Sequence, residues 1–194
     1  MLTNTYQNPY LPTPMHVLHA YYESTDRTLK TLELTFDNPQ DSVAFFRKFN
    51  PGQFCQLSVF GKGESPLGVA SAAWEGDFVR FTVQKMGAVT KALHKLQPGD
   101  PIGMRGPLGN GFPIEAWKGK NLVIIGGGCA FSTLYALTKH VQHPQNRSDF
   151  GQIIVIYGAR SSGLCMYKHD IQSWYKREDM EVHQAIDIPE EDWT

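Results

Sequence analysis

The chain has 194 residues, 41% of them hydrophobic and 19% charged, with a formal net charge of −1. That balance suits a globular chain with one large or two small cores, and with no basic tract in the sequence it gives no simple case for nucleic acid or an anionic membrane surface, which require a concentrated basic face. Three scattered cysteines, Cys55, Cys129 and Cys165, make neither a disulfide framework nor a CxxC metal site, so no metal is expected and a reducing cytoplasm is the natural setting. The longest apolar run, Leu122 to Gly128, is far short of the roughly 18 residues of a membrane span. The amino-terminal stretch lacks the basic and apolar regions of a leader, so neither insertion nor export is expected.

From Met15 to about Arg105 the pattern is that of strands. HVLHAYYES, TLELTF, QFCQLSVF, LGVASAAW, FVRFTVQK and PIGMRG follow one another between NPG, GKGESP, EGD and PGD turns. In FVRFTVQK, Val79, Phe81 and Val83 alternate with Arg80, Thr82 and Gln84, as in a half-buried strand. Six short strands at close intervals predict a small antiparallel barrel, interrupted by one helix over 88–96. His16 and His19, three apart on a strand, are expected on opposite faces, and His140 with His143 at a helix end; neither pair has a third metal ligand nearby.

After GPLGNGFP the texture changes. LVIIGGG reads as a fully buried strand, AFSTLYALTKHVQH as a helix, QIIVIYG as a second buried strand, LCMYKHDIQSWYKR as a helix over 164–177 and MEVHQAID as a third strand. Alternating strands and helices predict a doubly wound parallel sheet. The expected division is therefore a barrel over 1–114 and a partial α/β unit over 115–194. Three parallel strands are fewer than usual, so an apolar face and an open edge are expected unless further chain or a partner covers them.

Three stretches carry chemistry. GAVT, Gly87 to Thr90, opens a helix, whose free amide groups and partial positive charge suit a phosphate, or it is a plain helix start, the reading that the motif taken alone favours. GGGCAFSTL joins a buried strand to a helix, where doubly wound sheets hold a pyrophosphate, or it is a tight strand-to-helix turn. GESPLGVAS ends on small residues that leave room for a flat ligand, or it is a hairpin. Cys129 in the glycine turn is either a reactive thiol at a helix start or an inert buried one.

The order of these stretches, ESPxxxxS, GxVT, GPLGNGFP and then a glycine turn after an apolar strand, resembles the ferredoxin-NADP reductase superfamily from Tyr10 to Trp193. Within it the chain is most similar to hydrogenase gamma subunits, the corresponding component of anaerobic sulfite reductase, dihydroorotate dehydrogenase electron-transfer subunits and flavin subunits linked to heterodisulfide reductases. The resemblance implies a six-stranded FAD-binding barrel (FMN less often) followed by a truncated NAD(P)-binding sheet. It implies Pro66, Leu67, Gly68, Val69 and Ser71 along the flavin ring, with Ser71 as the catalytic hydroxyl. Val83, Gln84 and Lys85 would pass its ribityl or adenosine side, and Gly87, Ala88, Val89 and Thr90 its pyrophosphate. Gly126, Gly127, Gly128 and Cys129 would take the NAD(P)H pyrophosphate, and Tyr157, Gly158 and Arg160 its adenosine ribose. Arg160 suits the extra phosphate of NADP or a surface carboxylate equally well. An iron-sulfur cluster is expected only beyond Thr194. The implied role is electron transfer from NAD(P)H through flavin to another subunit of a redox complex; the competing reading is a non-catalytic adapter, with or without flavin.

Overall fold

The computed structural model describes residue 8, residues 10–191 and residue 193, so the segment read for a leader lies largely outside them. Among the described residues no helix is long and apolar enough to cross a membrane.

Strands β1 (Thr13–Tyr22) and β2 (Leu29–Phe36) lead into helix α1 (Pro39–Phe46), followed by β3 (Phe54–Val59), β4 (Gly63–Gly68) and β5 (Val79–Gln84). Helix α2 (Ala88–Leu93) and β6 (Pro101–Leu108) complete a six-stranded sheet of order β4-β3-β6-β1-β2-β5, antiparallel at every pairing. Its two edges meet just past β4. There the Ala70 amide donates to the Arg80 carbonyl, and the Arg80 amide donates to Ser71 Oγ. Met15, Leu32, Leu34, Leu57, Phe81, Val83 and Ile102 fill the interior with almost no exposure.

Three of these elements differ from the sequence expectation. Helix α1 has no counterpart there, although its start is written in Asn38-Pro39: the Asn38 side chain accepts from the Gln40 amide and Pro39 brings a helical φ to the first turn. Phe45 anchors it against Phe36 and Phe49. The strand expected over LGVASAAW starts earlier and ends at Gly68, and Ala73–Glu75 is a single 3-10 turn. Pro66 is tolerated because β4 is an edge strand, where a missing donor breaks no ladder.

Helix α2 stops short of residue 96. The Lys30 ammonium, 2% exposed, donates to the carbonyls of His94 (3.0 Å) and Leu96 (2.6 Å) and so caps the helix end. His94 Nε2 meets the Val83 carbonyl at 2.8 Å, which leaves a buried Nδ1 with no partner among the described residues. Burial, with Lys30 and Lys85 nearby, holds this imidazole below its usual 6.5. Burial and His143 do the same to His140. Each group therefore stabilises the fold fully above 6.5, and that contribution is lost as pH falls from there through the lower folded values. Urea midpoints measured from about pH 7.5 down to about pH 5.5 are expected to drop, and less steeply in His94→Gln, at no more than about 1.4 kcal/mol per pH unit for each proton. A flat profile in the parent chain would contradict this.

A one-residue bulge between Val17 and His19 reverses the other histidine expectation. His16 lies opposite Thr35 and His19 opposite Glu33, so both project from one face, where they pair with Asp37 (2.8 Å) and Glu33 (2.9 Å). No cluster of three metal-ligating side chains occurs among the described residues.

The second sheet is parallel, with order β7-β8-β9: β7 (Leu122–Gly127), helix α3 (Phe131–Val141), the short α4 (Pro144–Arg147), β8 (Ile153–Ala159), α5 (Lys168–Trp174) and β9 (Glu181–Ile186). The single helix expected over 164–177 is broken. A 3-10 turn at Ser162–Leu164 precedes Tyr167, whose left-handed backbone (φ 54°) separates it from α5. Crossovers that step the same way across a parallel sheet place their helices on one face. Side chains of α3 and α5, among them Tyr135, Leu137, Ile171 and Trp174, accordingly share one core with Leu122, Ile124, Val155 and Val182.

Among the described residues nothing covers the opposite face of β7, so it is not the fully buried strand expected: Val123 is 59% and Ile125 66% exposed. A groove of about 580 Å³ lies at the free edge of β7, bordered by Phe112, Trp117, Val123 and Ile125 and, from α3, by Leu134 and Leu137. The core of the second sheet also takes in Leu29 and Ala70 from the first, so the two sheets share apolar packing.

Candidate functional site

The expected phosphate corner at α2 is formed in part by its own hydroxyl. Thr90 Oγ1 accepts from the Met86 and Gly87 amides, both at 2.9 Å, so it braces the loop and is not turned outward. Among the described residues no side chain caps the amides of Ala88, Val89 and Thr90. Nothing lies within 4 Å of where a Gly87 Cβ would be, and Gln84 to Ala88 are all exposed. The donors this corner presents are therefore backbone amides. Val83 contributes main chain only, since its side chain is fully buried in the barrel. Lys85 is exposed, its amide donating to the Thr28 carbonyl.

Around the flavin stretch the residues divide by depth. Pro66 is exposed, Leu67 and Gly68 are half-buried, and Val69 and Ser71 are wholly buried. The Ser71 hydroxyl is occupied by the Arg80 amide (3.1 Å), a bond that ties the segment after β4 to β5. Gly68 leaves less open room than its missing side chain suggests, because Thr133 Oγ1 from α3 already stands where its Cβ would project. Glu64 at the start of β4 is paired with Arg105 and bonded to Ser58, and these partners hold its carboxyl below the usual range.

The three adjacent glycines have different tasks. A Cβ at Gly126 would meet Leu134 Cδ1 at 2.5 Å and Phe131 Cδ2 at 3.0 Å, so this glycine serves the packing of α3 on β7. Gly127 would meet only the Gly158 carbonyl, at 3.7 Å, while Gly128 (φ 52°) and Gly158 face open space. At the carboxyl ends of β7 and β8 this leaves a side-chain-free surface, the place where open parallel sheets bind ligands. Cys129 is half-buried with its thiol 3.6 Å from the Thr82 carbonyl, and burial pushes its pKa up, which makes it a packing thiol. Tyr157 belongs to the core: it is 1% exposed, stacks on Phe131 at 4.2 Å, and its Oη accepts from the Met166 amide. Arg160 is exposed on the same strand end.

Nothing in the residue pattern pointed to the polar set between the sheets. Arg80, 8% exposed, donates from Nε and Nη2 to Glu33 Oε1 (3.0 and 2.8 Å) and from Nη1 to Glu75 Oε1 (3.3 Å) and Tyr135 Oη (3.2 Å). Lys139 adds a bond to Glu75 Oε1 at 2.7 Å, and Tyr135 donates to Asp170 Oδ2 at 2.7 Å. Five charged groups thus bridge β2, β5 and the Ala73–Glu75 turn to α3 and α5.

No family model matches the chain. It is 36% identical over 182 residues to the sulfhydrogenase 1 gamma subunit of Pyrococcus furiosus, covering 92% of this chain and 60% of that one. It is 37% identical over 127 residues to a probable dihydroorotate dehydrogenase B (NAD(+)) electron transfer subunit of the same organism, covering 66% and 45%. The chain thus spans about half to three-fifths of these relatives' lengths. Among solved structures, the ferredoxin-NADP+ reductase of Plasmodium falciparum superposes with a TM-score of 0.73 at 16% identity, over 90% of this chain and 70% of that one. By sequence the chain is a homologue of sulfhydrogenase gamma subunits and dihydroorotate dehydrogenase electron transfer subunits, and by fold it stands with the ferredoxin-NADP reductases.

Proposed function

We propose that the chain is a flavoprotein electron-transfer subunit, with FAD on residues 1–114 and NAD(P)H on residues 115–194, working in the cytoplasm within a redox complex of hydrogenase, sulfite reductase or heterodisulfide reductase type. The observation that carries this reading is the side-chain-free surface of Gly127, Gly128 and Gly158, joined through Cys129 to Thr82 on the strand that leads to the α2 corner. Two phosphate-compatible sites on neighbouring elements suit two cofactors that must touch.

When bound, the flavin takes two electrons from the nicotinamide and releases them singly to a partner's redox centre. The chain's own work is alignment. The amides of Ala88, Val89 and Thr90 hold the flavin pyrophosphate, with Gly87 giving it access. Pro66, Leu67 and Gly68 border the ring, and Gln84 and Lys85 run along its side. Ser71, Val69 and Val83 form the wall beneath. Gly127 and Gly128 admit the nicotinamide pyrophosphate, and Gly158 and Arg160 its ribose.

The test is an absorbance scan of the intact protein followed by anaerobic addition of NADH and of NADPH. A flavin spectrum bleached by one of them is the expected result. A flavin that keeps its colour with both would make the chain an adapter, and a chain that never binds flavin would overturn the reading.

A further inference from the structure

Arg80 and Thr82 stand two apart on β5 and project from the face that points away from the barrel core. Strand register sets Glu33 opposite Arg80 and Thr31 opposite Thr82. On an isolated barrel this face would be wet; here Arg80 is 8% and Thr82 3% exposed. Two tyrosines of the second sheet cover it. Tyr135 from α3 and Tyr167 from the turn before α5 stack with ring centroids 3.8 Å apart, and each hydroxyl ends on β5. Arg80 Nη1 donates to Tyr135 Oη, and Tyr167 Oη lies 2.6 Å from Thr82 Oγ1.

Tyr167 is held at both ends by a closed ring of bonds. Its amide donates to Glu23 Oε2 (2.9 Å), Glu23 Oε1 accepts from Thr31 Oγ1 (2.7 Å), and Thr31 Oγ1 lies 2.7 Å from Thr82 Oγ1. The left-handed backbone of Tyr167 is unfavourable for a bulky residue, and such a conformation persists only where its surroundings impose it. Thr82 also receives the Cys129 thiol on its carbonyl. One residue of β5 therefore holds the glycine turn by its main chain and the Tyr167 pin by its side chain.

We propose that Tyr167 and Tyr135, pinned to Thr82 and Arg80, are positioning residues that fix the glycine turn at 126–129 against β5, and with it the approach of nicotinamide to flavin. The second clause rests on the proposed function; the first does not. Tyr167→Phe and Thr82→Val each delete a hydrogen-bonding hydroxyl, and Thr82→Ser keeps it.

In flavin-free protein, hydrogen exchange of the amides at 126–131 is expected to quicken about tenfold in Tyr167→Phe and Thr82→Val, with β1 to β3 unchanged and Thr82→Ser like the parent. In flavin-loaded protein, anaerobic reduction at saturating NADH or NADPH is expected to slow about tenfold, while reoxidation of the dithionite-reduced flavin by ferricyanide, which needs no nicotinamide, stays the same. Parent-like exchange in both variants, or exchange quickened evenly along the whole chain, would overturn the positioning claim. Quickened exchange with unchanged nucleotide reduction would overturn the second clause. A parent protein reduced by neither nucleotide would instead remove the proposed function, and the exchange measurement would still decide the first clause.

Discussion

Arg80→Met is expected to lower folding stability by about 3–5 kcal/mol. The guanidinium and its two carboxylate partners are almost wholly out of water: Arg80 is 8% and Glu33 7% exposed, and the Glu75 side chain is 7% exposed. A buried ion pair is not strongly stabilising in itself, because desolvation offsets most of the attraction. Removing one partner is different, since the other keeps its desolvation cost and loses its counter-charge. Among the described residues Glu33 would retain only His19 at 2.9 Å and a long contact from Tyr21 at 3.4 Å. Glu75 would keep Lys139, so Glu33 bears most of the loss. Adding Glu33→Leu to Arg80→Met removes the orphaned charge and is expected to restore a large part of the stability. Urea unfolding at unchanged slope measures both. A single-variant loss below about 1 kcal/mol would mean that water reaches this cluster and that the two sheets are not packed as described.

The same strand shows why half of the architecture is legible in the sequence and half is not. The alternation in FVRFTVQK correctly assigns Val79, Phe81 and Val83 to the barrel core, each 0% exposed. A period of two reports which side chains share a face, and says nothing of what packs on the other face. Arg80 and Thr82 read as solvent-facing for that reason, although a second sheet covers them. An apolar run misleads in the reverse sense at β7. LVIIGG has the composition of a strand buried on both sides, yet Val123 and Ile125 have no cover among the described residues. Helix α1 was readable from Asn38-Pro39. The bulge that brings His16 and His19 to one face has no signal in HVLHAYY at all, since it is set by the pairing with β2.

Sequence order also located the glycine turn but could not divide its labour, because that depends on where Phe131 and Leu134 fall once α3 folds back on β7. The division leads to the other large effect. Gly127→Val and Gly158→Val are expected to fold normally, since a Cβ at the first would touch only a carbonyl at 3.7 Å and one at the second nothing within 4 Å. Both positions lie on strands, where a β-branched residue is well accommodated. If dinucleotide binds across this surface, the new methyl groups occupy the path of its pyrophosphate and ribose, and the loss of close backbone approach is expected to weaken binding about 100-fold, or roughly 2.7 kcal/mol.

Gly126→Val is the contrasting control. Its Cβ would press on Leu134 Cδ1 and Phe131 Cδ2, so the strain of an overfilled core, about 1–3 kcal/mol, should appear in the unfolding midpoint. Calorimetric titration with NADH and NADPH, set beside thermal melts, separates the two kinds of glycine. If Gly127→Val and Gly158→Val bind nucleotide like the parent while remaining folded, the open ends of β7 and β8 are not the nucleotide surface.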